Sequence, residues 1–102
     1  MQLILESWLP VLSLPNYEVS SEGRVRYKKR IVPVHADKHG GLMFNAKIGK
    51  RYTTRRLARV VAEAFCPGYH PKLRPRFLDG DPTNCRAKNM VWDTPNANRR
   101  IK

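Results

Sequence analysis

Residues 53–65 read TTRRLARVVAEAF, and within them Leu57, Val60, Val61, Ala64 and Phe65 fall at i, i+3, i+4, i+7 and i+8. That spacing puts five apolar side chains on one stripe of a 3.6-residue helix. It is the clearest helical period in the chain, and the segments before it must be built from short strands and turns. The expected helix spans 54–65, with Thr53 or Thr54 as its cap and Pro67-Gly68 as its stop. Its other face carries Arg55, Arg56 and Arg59, with Glu63 four residues after Arg59. An Arg59–Glu63 pair on a solvated face is one account of these charges. The other is an external anion such as phosphate, because arginines near a helix N-terminus oppose the helix dipole.

Before this helix the pattern is β. Tyr17 and Val19 alternate with polar residues, Ser20 to Gly23 make a turn, and Arg24 to Tyr27 alternate again. Val25 and Tyr27 are expected to face inward, with Arg24 and Arg26 outward. Ile31 to Val34 reads as an edge strand because of Pro33. After a His39-Gly40-Gly41 turn, residues 42–53 read as a second hairpin turning at Gly49-Lys50, with Lys47, Lys50 and Arg51 clustered at its tip. Beyond the helix, 66–75 reads as a loop and Arg76 to Leu78 as a short strand. Asp79-Gly80-Asp81-Pro82 forms a tight turn, and Lys88 to Asp93 a second strand. Thr94-Pro95 opens a terminal helix ending in Arg99, Arg100 and Lys102.

The 102 residues suit a single α+β domain, 1–102, and 41% hydrophobic with 27% charged residues marks a globular chain. Twenty Lys and Arg against eight acids give +12 at pH 7. Residues 1–37 carry five basic and four acidic residues, a net of +1; residues 38–102 carry fifteen and four, a net of +11. Such a domain usually meets a polyanion. No apolar run approaches the roughly 18 residues of a membrane span, and the N-terminal residues lack a basic n-region, so no membrane is expected and the cytoplasm is the default. Cys66 and Cys85 form no CxxC. A Cys66/His70/Cys85 zinc site lacks a fourth ligand, and free buried thiols are the alternative.

Two stretches resemble known motifs. Residues 6–29, ESWLPVLSLPNYEVSSEGRVRYKK, resemble the nuclease-associated modular DNA-binding motif, in which Trp-x-Pro, Tyr-x-Val-Ser and Glu-Gly-Arg-Val elements recur in this order. RRLARVVAEAFCP followed by LDGDPTNCRAKNMVWDTPNAN resembles the HNH module of phage-type homing endonucleases. The resemblance implies a DNA-binding segment over 6–30 and a small ββα-metal, HNH-like module over 54–102. It also implies a divalent metal, Mg²⁺ in an active enzyme, held by an acidic residue and by an asparagine on the final helix. A histidine directly after the acid activates water. The matching positions here are Arg76, Phe77 and Asn98. Asn98 is retained, as is Asn89, whose family role is to brace the loop by hydrogen bonds. Arg76 binds no cation and Phe77 takes no proton. The helix histidine common in relatives is replaced by Ala58.

The expectation is therefore a double-stranded-DNA-binding protein of the HNH homing-endonuclease type, with catalytic residues none, metal ligands none and no cofactor. Its DNA contacts are expected from Arg24, Arg26, Lys28, Lys29, Lys47, Lys50, Arg51, Arg55, Arg56, Arg59, Arg76, Arg99 and Arg100. Arg76 offers a fixed charge where the metal met phosphate. Phe77 packs into the finger's core or stacks on a base. Asp79 and Asp81 shape the turn or bind a metal. Two rivals stay open: an active Mg²⁺-dependent nicking endonuclease with an unusual site, and a phage protein that binds and inhibits a host enzyme in the bacterial cytoplasm. Oligomeric state is not legible in the sequence.

Overall fold

The apolar stripe does form a helix, but later than its flanking residues suggested. In the computed structural model, which describes residues 5–94, α1 spans Leu57–Phe65. Thr53, Thr54, Arg55 and Arg56 instead finish a strand, paired with Ala46, Asn45, Phe44 and Met43. Two β-branched threonines opposite a strand already in place outweigh the weak helical preference of this stretch. Neither threonine caps the helix; the N-cap is Arg56, which makes no side-chain capping bond. Leu57, Val60, Val61 and also Ala62 are buried, so the stripe is wider than its spacing indicated. The terminal helix expected from Thr94-Pro95, with Asn98, Arg99 and Arg100, lies outside the described residues.

Three small antiparallel sheets surround α1. The first has the order β1 (Trp8–Pro10), β2 (Tyr17–Ser20), β3 (Val25–Tyr27), β4 (Arg30–Ile31). Val25 faces the core, Tyr27 packs against it, and Arg24 is exposed, as the alternation requires. β3 and β4 are joined by Lys28-Lys29, both at positive φ (48° and 74°), a conformation that two-residue hairpin loops usually give to Asn-Gly. The second sheet is β5 (His35–Ala36), β6 (Leu42–Ile48), β7 (Arg51–Arg56), with its tip at Gly49-Lys50 as expected. The third pairs β8 (Arg74–Phe77) with β9 (Met90–Asp93); β8 starts two residues earlier than the expected strand.

The core draws Leu14, Val19 and Val25 from the first sheet's region, Phe44 and Ala46 from the second and Met90 from the third, all packed with α1. Polar contacts join the parts. The Tyr17 hydroxyl accepts the Lys47 N–H at 2.6 Å, linking the first sheet to β6. The Ser20–Gly23 turn meets the finger loop, where Ala87 N–H donates to Ser21 O at 2.9 Å and Arg86 pairs with Glu22 at 3.1 Å. Gly23 sits between them at φ +84°, and a Cβ there would lie 3.0 Å from the Cys85 carbonyl carbon and oxygen. Trp92 Nε1 donates to Cys66 O at 3.0 Å, fixing β9 to the end of α1. Among the described residues no helix is long and apolar enough to cross a membrane.

Gly23→Ala should therefore destabilise the fold by more than Gly49→Ala. Both carry a left-handed φ, costing about 1–2 kcal/mol for a side chain, but Gly49 has nothing within 4 Å of an added Cβ. Thermal melts of the two variants check this, and equal losses would contradict the close packing at Gly23.

Four carboxylates are held below their usual range: Glu6 by the Arg24 guanidinium, Glu18 by Arg26, Asp37 by the His39 N–H and Arg56, and Asp79 by the Asn84 amide and Asp81 N–H. Each stabilises the fold fully above its ordinary value, 4.5 for Glu and 3.8 for Asp, and that contribution is lost as pH falls through the lowered folded value. Tm should hold down to about pH 5 and fall steadily below it. A Tm that stays flat through the carboxylate range would rule this out.

Candidate nucleic-acid interface

Alternation along β6 and β7 decides what the second sheet shows to solvent. Phe44 and Ala46 point to the core, so Met43, Asn45 and Lys47 point away, and their cross-strand partners Arg56, Thr54 and Tyr52 share that outer face. Tyr52 is 70% exposed. Thr54 Oγ1 donates to Asn45 Oδ1 at 3.3 Å, which orients the amide with its NH₂ free. Arg51 and Arg55 fall on the opposite face, opposite Ile48 and Phe44. The two-stranded ribbon thus carries a polar, aromatic and cationic surface. Of these residues only the cations were expected at an interface, and Thr54 was expected as a helix cap; the alternation of LMFNAKI and RYTTRR was the signal that would have found Asn45, Tyr52 and Thr54.

The cations expected to meet DNA divide into two groups. Arg24 pairs with Glu6 at 2.6 Å and Arg26 with Glu18 at 2.7 Å, while the Arg26 guanidinium also lies 4.0 Å from the Trp8 ring centroid. Lys29 reaches Glu18 at 3.9 Å and Arg56 reaches Asp37 at 2.9 Å. Arg59 makes the expected pair with Glu63 at 3.2 Å, donates to Leu73 O, and lies over the rings of Tyr69 and Trp92. Arg76 pairs with Asp93 at 2.7 Å. Among the described residues Lys28, Lys47, Lys50, Arg51 and Arg55 make no ion pair, and neither does Arg74, which was not among the expected contacts. Arg55 and Arg56 lie on β7 rather than on the helix, so the arginine face expected on α1 reduces to Arg59.

In the finger, Asn89 does hold the loop. Its Oδ1 accepts the Asp79 N–H at 3.1 Å, and its Nδ2 donates to Asp79 Oδ1 at 3.0 Å and to Asn84 O at 2.9 Å. Asp79 also accepts from the Asp81 N–H and the Asn84 amide, and Asp81 Oδ1 accepts from the Thr83 N–H and hydroxyl. Both aspartates are engaged in turn geometry. Phe77 packs half-buried against the core. Arg76 and Phe77 offer no lone pair to a divalent cation, and Arg76 adds positive charge, so these positions do not fit a metal. No group of three or more His, Cys, Asp or Glu is placed to hold one among the described residues. Both thiols are held protonated by burial, Cys85 pushed up to about 11.

Phe77 lies at one wall of a cleft of about 640 Å³ between β8, the start of α1 and the β5–β6 turn, with Arg56, Arg59, Arg74, His39 and Ala58 also lining it. Arg74 and His39 were not singled out from the sequence as members of one site. The first was assigned to a loop and the second to a turn, and only the tertiary fold brings them beside Phe77.

Comparison with known proteins agrees with this architecture. The model of the NUMOD4 motif matches residues 6–62. A solved structure described as "DNA binding and cleavage by the HNH homing endonuclease I-HmuI" is similar at 26% identity and a TM-score of 0.85. The match covers 91% of this chain and 55% of that one, so the chain spans little more than half of that protein's length. No curated protein matches the sequence. The chain belongs to the family of the NUMOD4 motif, the nuclease-associated modular DNA-binding motif, and carries it on a small α+β fold shared with an HNH homing endonuclease.

Proposed function

We propose that the chain binds duplex DNA through the outer face of the β5–β6–β7 sheet and does not cleave what it binds. The observation that carries this reading is that face itself: Asn45, Thr54 and Tyr52 flanked by Lys47 and Arg56, on a two-stranded ribbon whose other face sinks Phe44 and Ala46 into the core. The major groove of B-DNA, about 12 Å wide, admits such a ribbon, and amide and hydroxyl side chains read base edges there. Lys47 and Lys50 at the tip would contact phosphates, which position without specifying. The family motif and the DNA named for the similar endonuclease support the same partner. The ion-paired Arg24 and Arg26 contribute less than the unpaired cations, because a phosphate must compete with Glu6 and Glu18 for them.

Loss of cleavage is supported by Arg76 and Phe77, which supply neither metal ligand nor proton acceptor. A second reading, an active nicking enzyme with a relocated base, has one observation in its favour: His39 lines the same cleft as Phe77.

Duplex affinity should fall steeply with salt, with a log–log slope of about −0.9 per phosphate neutralised. Asn45→Ala should cost about 1–3 kcal/mol on the preferred sequence and relax base preference at one position, leaving the salt slope unchanged. Selection of bound duplexes from a random pool, followed by salt titration, checks both. No binding at about 50 mM salt would overturn the reading.

EDTA should leave affinity unchanged, and purified protein should not nick supercoiled plasmid with Mg²⁺ or Mn²⁺. Nicking that disappears in His39→Ala would establish the second reading instead.

A further inference from the structure

We propose that the cleft beside Phe77 binds one backbone phosphate of the DNA on guanidinium groups, with no metal ion and with Arg74 as the principal contact. The inference rests on the DNA-binding reading and assigns that reading a second contact site, away from the ribbon face.

Among the described residues three arginines and a single acid, Asp37, line this cleft. Two of the arginines already have partners: Arg56 is paired with Asp37, and Arg59 is held by Glu63, the Leu73 carbonyl and two aromatic rings. Arg74 differs. Asp93 lies directly opposite it in the β8–β9 register, yet Asp93 pairs with Arg76 at 2.7 Å, and Arg74 lines the cleft with no ion pair. An uncompensated guanidinium near two others is disfavoured by like-charge repulsion, and a concave low-dielectric wall intensifies the field. A phosphodiester of charge −1 cancels the unmatched charge of Arg74.

The groups are of the right kind. Guanidinium is planar, always charged, and bonds phosphate oxygens two at a time. The cleft of about 640 Å³ is larger than a phosphate needs, and beside His39 its remaining wall is largely apolar, with Leu42, Pro75, Phe77 and Pro82. That wall suits the carbon face of the adjoining deoxyribose. Phe77 therefore has a use that histidine would not serve as well, since it closes the core and gives the sugar a dry contact. Arg76, expected from the sequence to take the phosphate, is paired with Asp93 instead. Its neighbour two residues earlier on the same strand face supplies the charge.

Two measurements on the full chain test this. In the first, deoxyribose 5-phosphate is titrated into ¹⁵N-labelled protein without metal. The amides of Gly41, Leu42 and Phe77 should shift, and Arg74→Gln should abolish the shifts while leaving Tm unchanged, since Arg74 has no partner to lose. In the second, salt titration of duplex binding is compared for wild type, Arg74→Gln and Lys72→Gln, the last removing a nearby exposed cation outside the cleft. Arg74→Gln should reduce the slope by about 0.9, one phosphate contact, and Lys72→Gln by clearly less. Amide shifts without any duplex binding would retain the cleft as a phosphate site and refute the DNA-binding reading. Duplex binding with an Arg74→Gln slope equal to wild type, or no amide shifts, would refute the cleft and leave the ribbon face standing.

Discussion

Sheets of two, three and four short strands cannot each enclose an apolar face of their own, and here none has to. All three place their inner residues against the nine-residue helix α1, whose Leu57, Val60, Val61 and Ala62 are buried among Val19, Val25, Phe44 and Met90. Every other feature depends on this shared burial. The motif hairpin, the ribbon and the finger hold fixed mutual positions because they use one core, and the Gly23–Cys85 approach and the Tyr17–Lys47 bond add direction to an otherwise undirected apolar contact.

Much of this was legible in the chain. The β2–β3 and β6–β7 hairpins, the Gly49-Lys50 tip, the Arg59–Glu63 pair and the bracing role of Asn89 all follow from local patterns: period-2 alternation, a glycine where the chain must reverse, i,i+4 spacing and a motif. The helix start was not legible, because Thr53 to Arg56 have no strong preference of their own and are strand only through pairing with β6. Local sequence also could not show which acids would meet which cations. Arg76 and Arg74 look alike in RPRF, and the register across β8 and β9, together with one short bond to Asp93, separates a neutralised arginine from an available one.

That separation changes how the charge of the molecule should be read. A net of +12 describes the whole chain, but six of the eight acids are spent on ion pairs. Most of these pairs lie at the surface, where each adds little stability. Their larger effect is on position: they quiet Arg24 and Arg26 on the motif hairpin and leave uncompensated charge at its Lys28 turn, on the ribbon tip and in the cleft. Net +1 over residues 1–37 thus corresponds to a stretch in which Arg24, Arg26 and Lys29 already have acidic partners.

The Lys28-Lys29 turn bears on timing and selection together. Two adjacent lysines in the left-handed region are uncomfortable where Asn-Gly would be at ease. A substitution toward Asn-Gly would relieve this conformation and remove both ammonium groups from the turn. Because the turn geometry is set when the hairpin folds, the backbone beneath both ammonium groups is ordered before any anion arrives. Where this turn takes part in the proposed DNA binding, the penalty for ordering a flexible basic loop is absent from the association step.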